Sequence, residues 1–131
     1  MFNVNKDDMD KALSHYDKTL GGLPSVIETL VSEMPAMFVG YAQMRQAVMS
    51  EDSHIPRKYK ELIFILLDLA SGSMDGALIH TRMAIANGLS SEELAEALAQ
   101  TILVLGISSW DRGGAEIMRT ARQLIEQEGG K

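Results

Sequence analysis

A chain of 131 residues, 46% hydrophobic and 23% charged, has the make-up of one ordinary globular domain rather than a disordered or fibrous one. Its net charge of −6 argues against a nucleic-acid surface, which needs clustered Lys and Arg. The sequence contains no cysteine, which excludes disulfides, thiolate catalysis, thiolate zinc sites and iron–sulfur clusters.

The punctuation along the chain is helical. Asp7 or Asp8 is placed to cap a first helix running to about Leu20, and Gly21-Gly22 ends it. Ser25 opens a short second helix, with Glu28 at capping-box spacing. Pro35 separates it from a third helix over roughly Ala36 to Met49, and the polar turn Ser50-Glu51-Asp52-Ser53 follows. Pro56 suits the first turn of a fourth helix reaching about Ser71, which Gly72 breaks. A fifth helix runs from Ser73 or Met74 to Asn87 and stops at Gly88. Ser90 or Ser91 caps a sixth, with Glu92 and Glu93 in its first turn, and it continues to Gly106. A last helix spans about Ser109 to Gln127, and the Gly-Gly-Lys tail should fray.

No segment alternates like a strand between hairpin turns, so the expected fold is all-α, a single-domain bundle of about seven helices over residues 1–131. The fourth and sixth helices are apolar on most sides. In a small chain such helices are either central or covered by a second subunit. Together with nine methionines, they favour a homo-oligomer. The stretch from Met1 to Asp10 lacks the pattern of a signal peptide, and the longest apolar run, Leu62 to Ala70, is about half a membrane span and carries Asp68. A cytoplasmic protein with no membrane or nucleic-acid partner is therefore expected.

Three ionisable groups interrupt apolar helix faces. Glu61 and Asp68 lie seven residues apart, two helical turns, so both carboxylates share nearly one face. His80 has Gly76, Ala77, Met83 and Ala84 as helical neighbours, and Gly76 lets another backbone or a ligand approach closely. A carboxylate that accepts from one imidazole nitrogen fixes the tautomer and makes the other nitrogen the proton-handling one. By spacing alone, Glu61 as a surface pairing residue and His80 as a satisfied core residue is the commoner arrangement.

Glu61, eleven intervening residues and then Ser73-Met74-Asp75-Gly76-Ala77-Leu78-Ile79-His80 resembles the signature of the carboxymuconolactone decarboxylase and AhpD-like superfamily. The resemblance extends from Ile55-Pro56-Arg57 through Asn87-Gly88 and Glu92-Glu93, within a block of about residues 55–106. In the peroxidase branch of that family two cysteines stand where this chain has Ser73 and Gly76. A serine hydroxyl cannot cycle through sulfenic acid and disulfide, so thiol peroxidase chemistry is not expected. The resemblance implies an all-helical subunit assembling into homo-trimers or homo-hexamers, with sites at subunit contacts. The decarboxylase branch also lacks the cysteine pair and removes carbon dioxide from a small lactone acid.

Such a reaction needs a cation for the substrate carboxylate, a donor at the developing oxyanion and a proton shuttle. His80 and Glu61 are the expected catalytic pair, with no cofactor and no metal. Arg57, one turn before Glu61, is the candidate cation, with Arg45 and Arg112 as alternatives, and Ser73, Gly76 and Trp110 are candidates to line the substrate site. Asp68 is expected behind the pair. The partner would be a small organic acid or lactone. Two departures from the family pattern stand out, Asp75 between the former cysteine positions and a Ser108–Gly114 segment without the expected proline. A non-catalytic helical oligomer that binds a ligand or partner is the competing reading. A metal site of Glu61, Asp68 and His80 is a minor one, unsupported by any His-x-x-x-His or Glu-x-x-His cluster.

Overall fold

Asn5, rather than Asp7 or Asp8, starts the first helix. Its backbone is extended and its Oδ1 accepts from the Asp8 amide at 2.8 Å, which leaves both aspartates inside the first turn of α1 (Lys6–Leu20), where the amide ends of the helix favour them. Gly21 closes α1 in the left-handed region, at φ 76°. α2 (Ser25–Glu33) forms without the expected capping box. Pro24 takes the cap position, so Ser25 already lies within the helix and no side chain caps it. α3 (Pro35–Val48) begins on its proline, whose missing amide hydrogen costs nothing in a first turn.

The computed structural model describes residues 3–50 and 54–129. Of the expected polar turn, 51–53 lie outside the described residues, as do 130–131 of the tail. α4 (Arg57–Ser71) follows Pro56 directly, and Gly72 at φ 84° ends it. α5 (Met74–Ala86) begins after a two-residue connection, and α6 (Ser91–Leu105) is capped by Ser90. The expected seventh helix is not uniform. Trp110–Gly114 form a π-helical turn, in which the Ala115 amide reaches back to the Trp110 carbonyl, before α7 (Ala115–Gly129) resumes the ordinary pitch. Among the described residues there are seven α-helices and no strand, which is the expected all-α fold.

The chain divides into two compact units, residues 1–53 and 54–131. In the first, α1, α2 and α3 enclose Ala12, Tyr16, Phe38, Val39 and Ala42, with Leu13, Ile27 and Leu30 packed against them. In the second, α4 and α5 pair most closely, and α6 and α7 close over a core of Ile65, Leu69, Ala77, Ala84, Leu94, Leu98, Ile117 and Ala121. None of the described helices is long and apolar enough to cross a membrane.

The buried positions of α4 are Lys60, Glu61, Ile65 and Leu69. Glu61, Ile65 and Leu69 recur every four residues, so Glu61 lies on the stripe that faces the core. Its carboxylate is carried inward by the periodicity that buries the two aliphatic side chains.

Candidate functional site

The α4–α5 hairpin brings the candidate residues together. The tight turn at Gly72-Ser73, with the Ser73 amide donating to the Asp68 carbonyl at 2.8 Å, reverses the chain so that the two helices run antiparallel. Glu61 then faces His80, and Asp68, two turns further along α4, faces Gly76, one turn back along α5.

Glu61 has no exposed surface. Its Oε2 accepts from His80 Nδ1 at 2.6 Å, and its Oε1 accepts from Arg57 Nε at 2.8 Å. Both carboxylate oxygens therefore have charge-assisted partners, the condition under which a buried carboxylate is tolerated. Because Nδ1 donates to Glu61, Nε2 is the nitrogen of His80 left to exchange protons. Phe64 stacks on the imidazole at 4.5 Å between centroids, which fixes the ring plane. On the Nε2 side stands Asp68, its Oδ2 3.9 Å away. Partial burial raises the Asp68 carboxyl above its usual range, and the charge on His80 draws it partly back.

Gly76 has the close neighbour its lack of a side chain predicts, though it is neither backbone nor ligand. A β-carbon on residue 76 would lie 2.5 Å from Asp68 Oδ2, 3.0 Å from its Cγ and 3.1 Å from Ser73 Oγ. Ser73 occupies the cap position of α5 but makes no capping hydrogen bond through its exposed side chain. Glu61, Asp68, Ser73, Gly76 and His80 thus form one neighbourhood. Arg57 joins it through Glu61, whose carboxylate its guanidinium holds.

Trp110 is placed differently. It is half-buried in the π turn, packs against the core of the second unit, and lines an open groove of about 450 Å³ along α7 with Met118, Arg119, Arg122 and Gln123. Neither His80 nor any of Glu61, Asp68, Ser73 and Gly76 lines that groove. Arg45 belongs to the first unit, where it is buried and its Nη1 meets His15 Nε2 at 3.0 Å and Thr19 Oγ1 at 2.8 Å. Arg112 is exposed, with Nε directed to the Ser108 carbonyl. Among the described residues no group of three or more His, Cys, Asp and Glu is arranged to hold a metal ion. Phe64 is the neighbour that sequence reasoning missed. Its position three residues after Glu61, on the same helix face, was the available signal.

Known proteins similar to this chain share its family and its fold. The sequence model of the carboxymuconolactone decarboxylase family matches residues 35–124, a longer span than the signature block. An uncharacterised protein of Cupriavidus necator is 31% identical over 86 residues, covering 58% of this chain and 76% of its own. A crystal structure from Burkholderia xenovorans LB400, of a protein provisionally named carboxymuconolactone decarboxylase, superposes with a TM-score of 0.89 at 30% identity. It covers 95% of this chain and 96% of its own.

Proposed function

The chain belongs to the carboxymuconolactone decarboxylase family, and on that premise we propose that it catalyses decarboxylation, or a closely related proton transfer, on a small lactone or carboxylic acid. The observation that carries this reading is the 2.6 Å contact between His80 Nδ1 and a carboxylate with no exposed surface. A histidine held this way has one nitrogen fixed and one available, the arrangement proton transfer to carbon requires. In the reaction the bond between the substrate's α-carbon and its carboxylate breaks, carbon dioxide leaves, and the electron pair passes into a conjugated carbonyl. The imidazolium of His80 then gives its Nε2 proton to carbon and becomes neutral. Glu61 holds the ring and stabilises the imidazolium. Arg57 keeps Glu61 in place and offers positive charge to an incoming carboxylate, and Ser73 and Gly76 border the space beside the ring. Trp110, in the separate groove along α7, takes no part in this reading.

The working form is a homo-oligomer, trimeric or hexameric. What supports this is the apolar surface that the second unit leaves open. Leu103, Val104 and Ile107, at and just beyond the end of α6, are 85%, 82% and 64% exposed.

The test is turnover of a panel of small lactone acids by the native protein, His80→Ala and Glu61→Gln. Each substitution should lower kcat by about a hundredfold or more while the assembly stays intact. Unchanged turnover in both variants would remove the pair from the chemistry. A native protein that turns over nothing in the panel but binds one of its members would make the chain a binding module.

A further inference from the structure

Decarboxylation consumes one proton per turnover, so neutral His80 must be reprotonated before the next cycle. The route is constrained. Nδ1 is taken by Glu61, which has no exposed surface, one ring face is covered by Phe64, and the His80 side chain as a whole is only 13% exposed. A proton from solvent therefore has to arrive at Nε2. The carboxylate on that side is Asp68, 27% exposed and 3.9 Å from Nε2. That distance is too long for a direct hydrogen bond and suits a bridging water or a small rotation of the carboxylate.

We infer that Asp68 is the proton relay of this site, carrying a proton from solvent to His80 Nε2 after each transfer to substrate. The inference rests on the decarboxylase reading above. The steps balance. Substrate carboxylate loses carbon dioxide and takes the Nε2 proton of the imidazolium at carbon. Asp68 in its acid form gives its proton to the now neutral Nε2, and the Asp68 carboxylate takes one from water. One proton enters from solvent and one leaves on the product.

Two further observations fit this role. Asp68 can stand beside Nε2 only because residue 76 is glycine, since a β-carbon there would collide with Oδ2. Burial also raises its carboxyl above the usual range, so the acid form that relays the proton persists closer to neutral pH. The charged groups around the relay are His80 itself, Glu61 across the ring and, through Glu61, Arg57. Asp68 touches the substrate in none of these steps and acts through His80.

The test is solvent exchange of the His80 Nε2 proton, followed by NMR on protein labelled with nitrogen-15 in its imidazoles, without substrate and at a pH where the imidazolium is populated. Asp68→Asn, nearly the same size, should slow exchange by about tenfold or more, and added acetate should restore it in proportion to its concentration. Gly76→Ala, which pushes the carboxylate aside, should slow exchange toward the Asp68→Asn rate. Exchange in Asp68→Asn as fast as in the native protein, or slowed exchange that acetate does not restore, overturns the relay. Because exchange needs no substrate, this outcome is separate from failure of the decarboxylase reading, which shows as absence of native turnover.

Discussion

Glu61 and His80 are joined across 19 residues of sequence, yet their pairing is a local matter of one hairpin. Their spacing was legible because a helix, a tight turn and a second helix make a short, predictable path. What spacing could not supply was the depth of Glu61, because a glutamate near a helix start reads as a surface residue. Depth came from the four-residue repeat with Ile65 and Leu69. Gly76 was read correctly as a point of close approach, but the approaching group, the Asp68 side chain, belongs to the preceding helix and is a tertiary fact.

In the first unit, Tyr16 has a comparable status. Burial, with Tyr41 acting in the same direction, pushes its phenol up to about 12, against a smaller pull downward from Arg45. Of the three tyrosines, one should therefore ionise only near pH 12 in a spectrophotometric titration at 295 nm. The sign for stability follows from linkage. The unfolded chain ionises first, so stability falls as pH rises from the ordinary tyrosine value of 10 toward 12. In Tyr16→Phe that alkaline loss should shrink, and an unaltered alkaline limb would show that Tyr16 does not cause it.

Helix boundaries were the most legible elements, and their errors have separate causes. At α6 the cap is Ser90, one of the two serines expected, and it closes a capping box that the sequence reading did not name. Ser90 Oγ accepts from the Glu93 amide at 3.0 Å and the Glu93 carboxylate accepts from the Ser90 amide at 2.9 Å, a closed capping box. The same carboxylate accepts from Tyr59 Oη at 2.7 Å and from Lys58 Nζ at 3.2 Å, which ties the start of α6 to the start of α4. At α1 and α2 the helices start where expected to within a few residues but the caps do not, Asn5 standing in place of Asp7 or Asp8 and Pro24 in place of Ser25, because a cap needs an extended backbone that composition does not reveal. The π turn was not legible, since its signal is one extra residue in a periodicity already interrupted by Gly113-Gly114.

The three donors around Glu93, the Ser90 amide foremost with Tyr59 and Lys58, hold its carboxyl at about 2, well below the ordinary range. A depressed carboxylate stabilises the fold above the unfolded value of 4.5, and that contribution is lost as pH falls toward 2. Urea titrations of the native protein and Glu93→Gln should therefore differ most at neutral pH and converge near pH 2. A constant difference across that window would mean the charge of Glu93 is not the stabilising feature. Ser90→Ala, which removes one arm of the box, should cost about 1 kcal/mol.

At the scale of the whole molecule, helical punctuation and the want of any strand pattern foretold an all-helical protein, and the family match reaches beyond the signature block, since residues 35–124 take in parts of both compact units. The single chain leaves apolar surface on the two helices that read as apolar on most sides. Ile63 and Leu67 of α4 are 43% and 62% exposed, and α6 ends in Leu103 and Val104. Light scattering should find a multiple of the chain mass in solution, and Leu103→Glu with Val104→Glu should shift it toward smaller species. A monomeric native protein would remove the oligomer from the proposal. The missing cysteines act at this scale as well. With no cysteine, the chain lacks the thiols on which cycling through sulfenic acid and disulfide depends.

The wide turn at Trp110–Gly114 also fixes the rotational phase of everything after it. Each α-helical residue advances the chain by about 100°, so tightening this turn without changing its length would swing Ile117 and Ala121, both fully buried, out of the core. Removing one residue together with the widening would leave them where they are. A relative one residue shorter between Ser109 and Ala115 would run straight through this region as an uninterrupted α-helix with the same core, and it is here that a one-residue length difference can be absorbed without repacking.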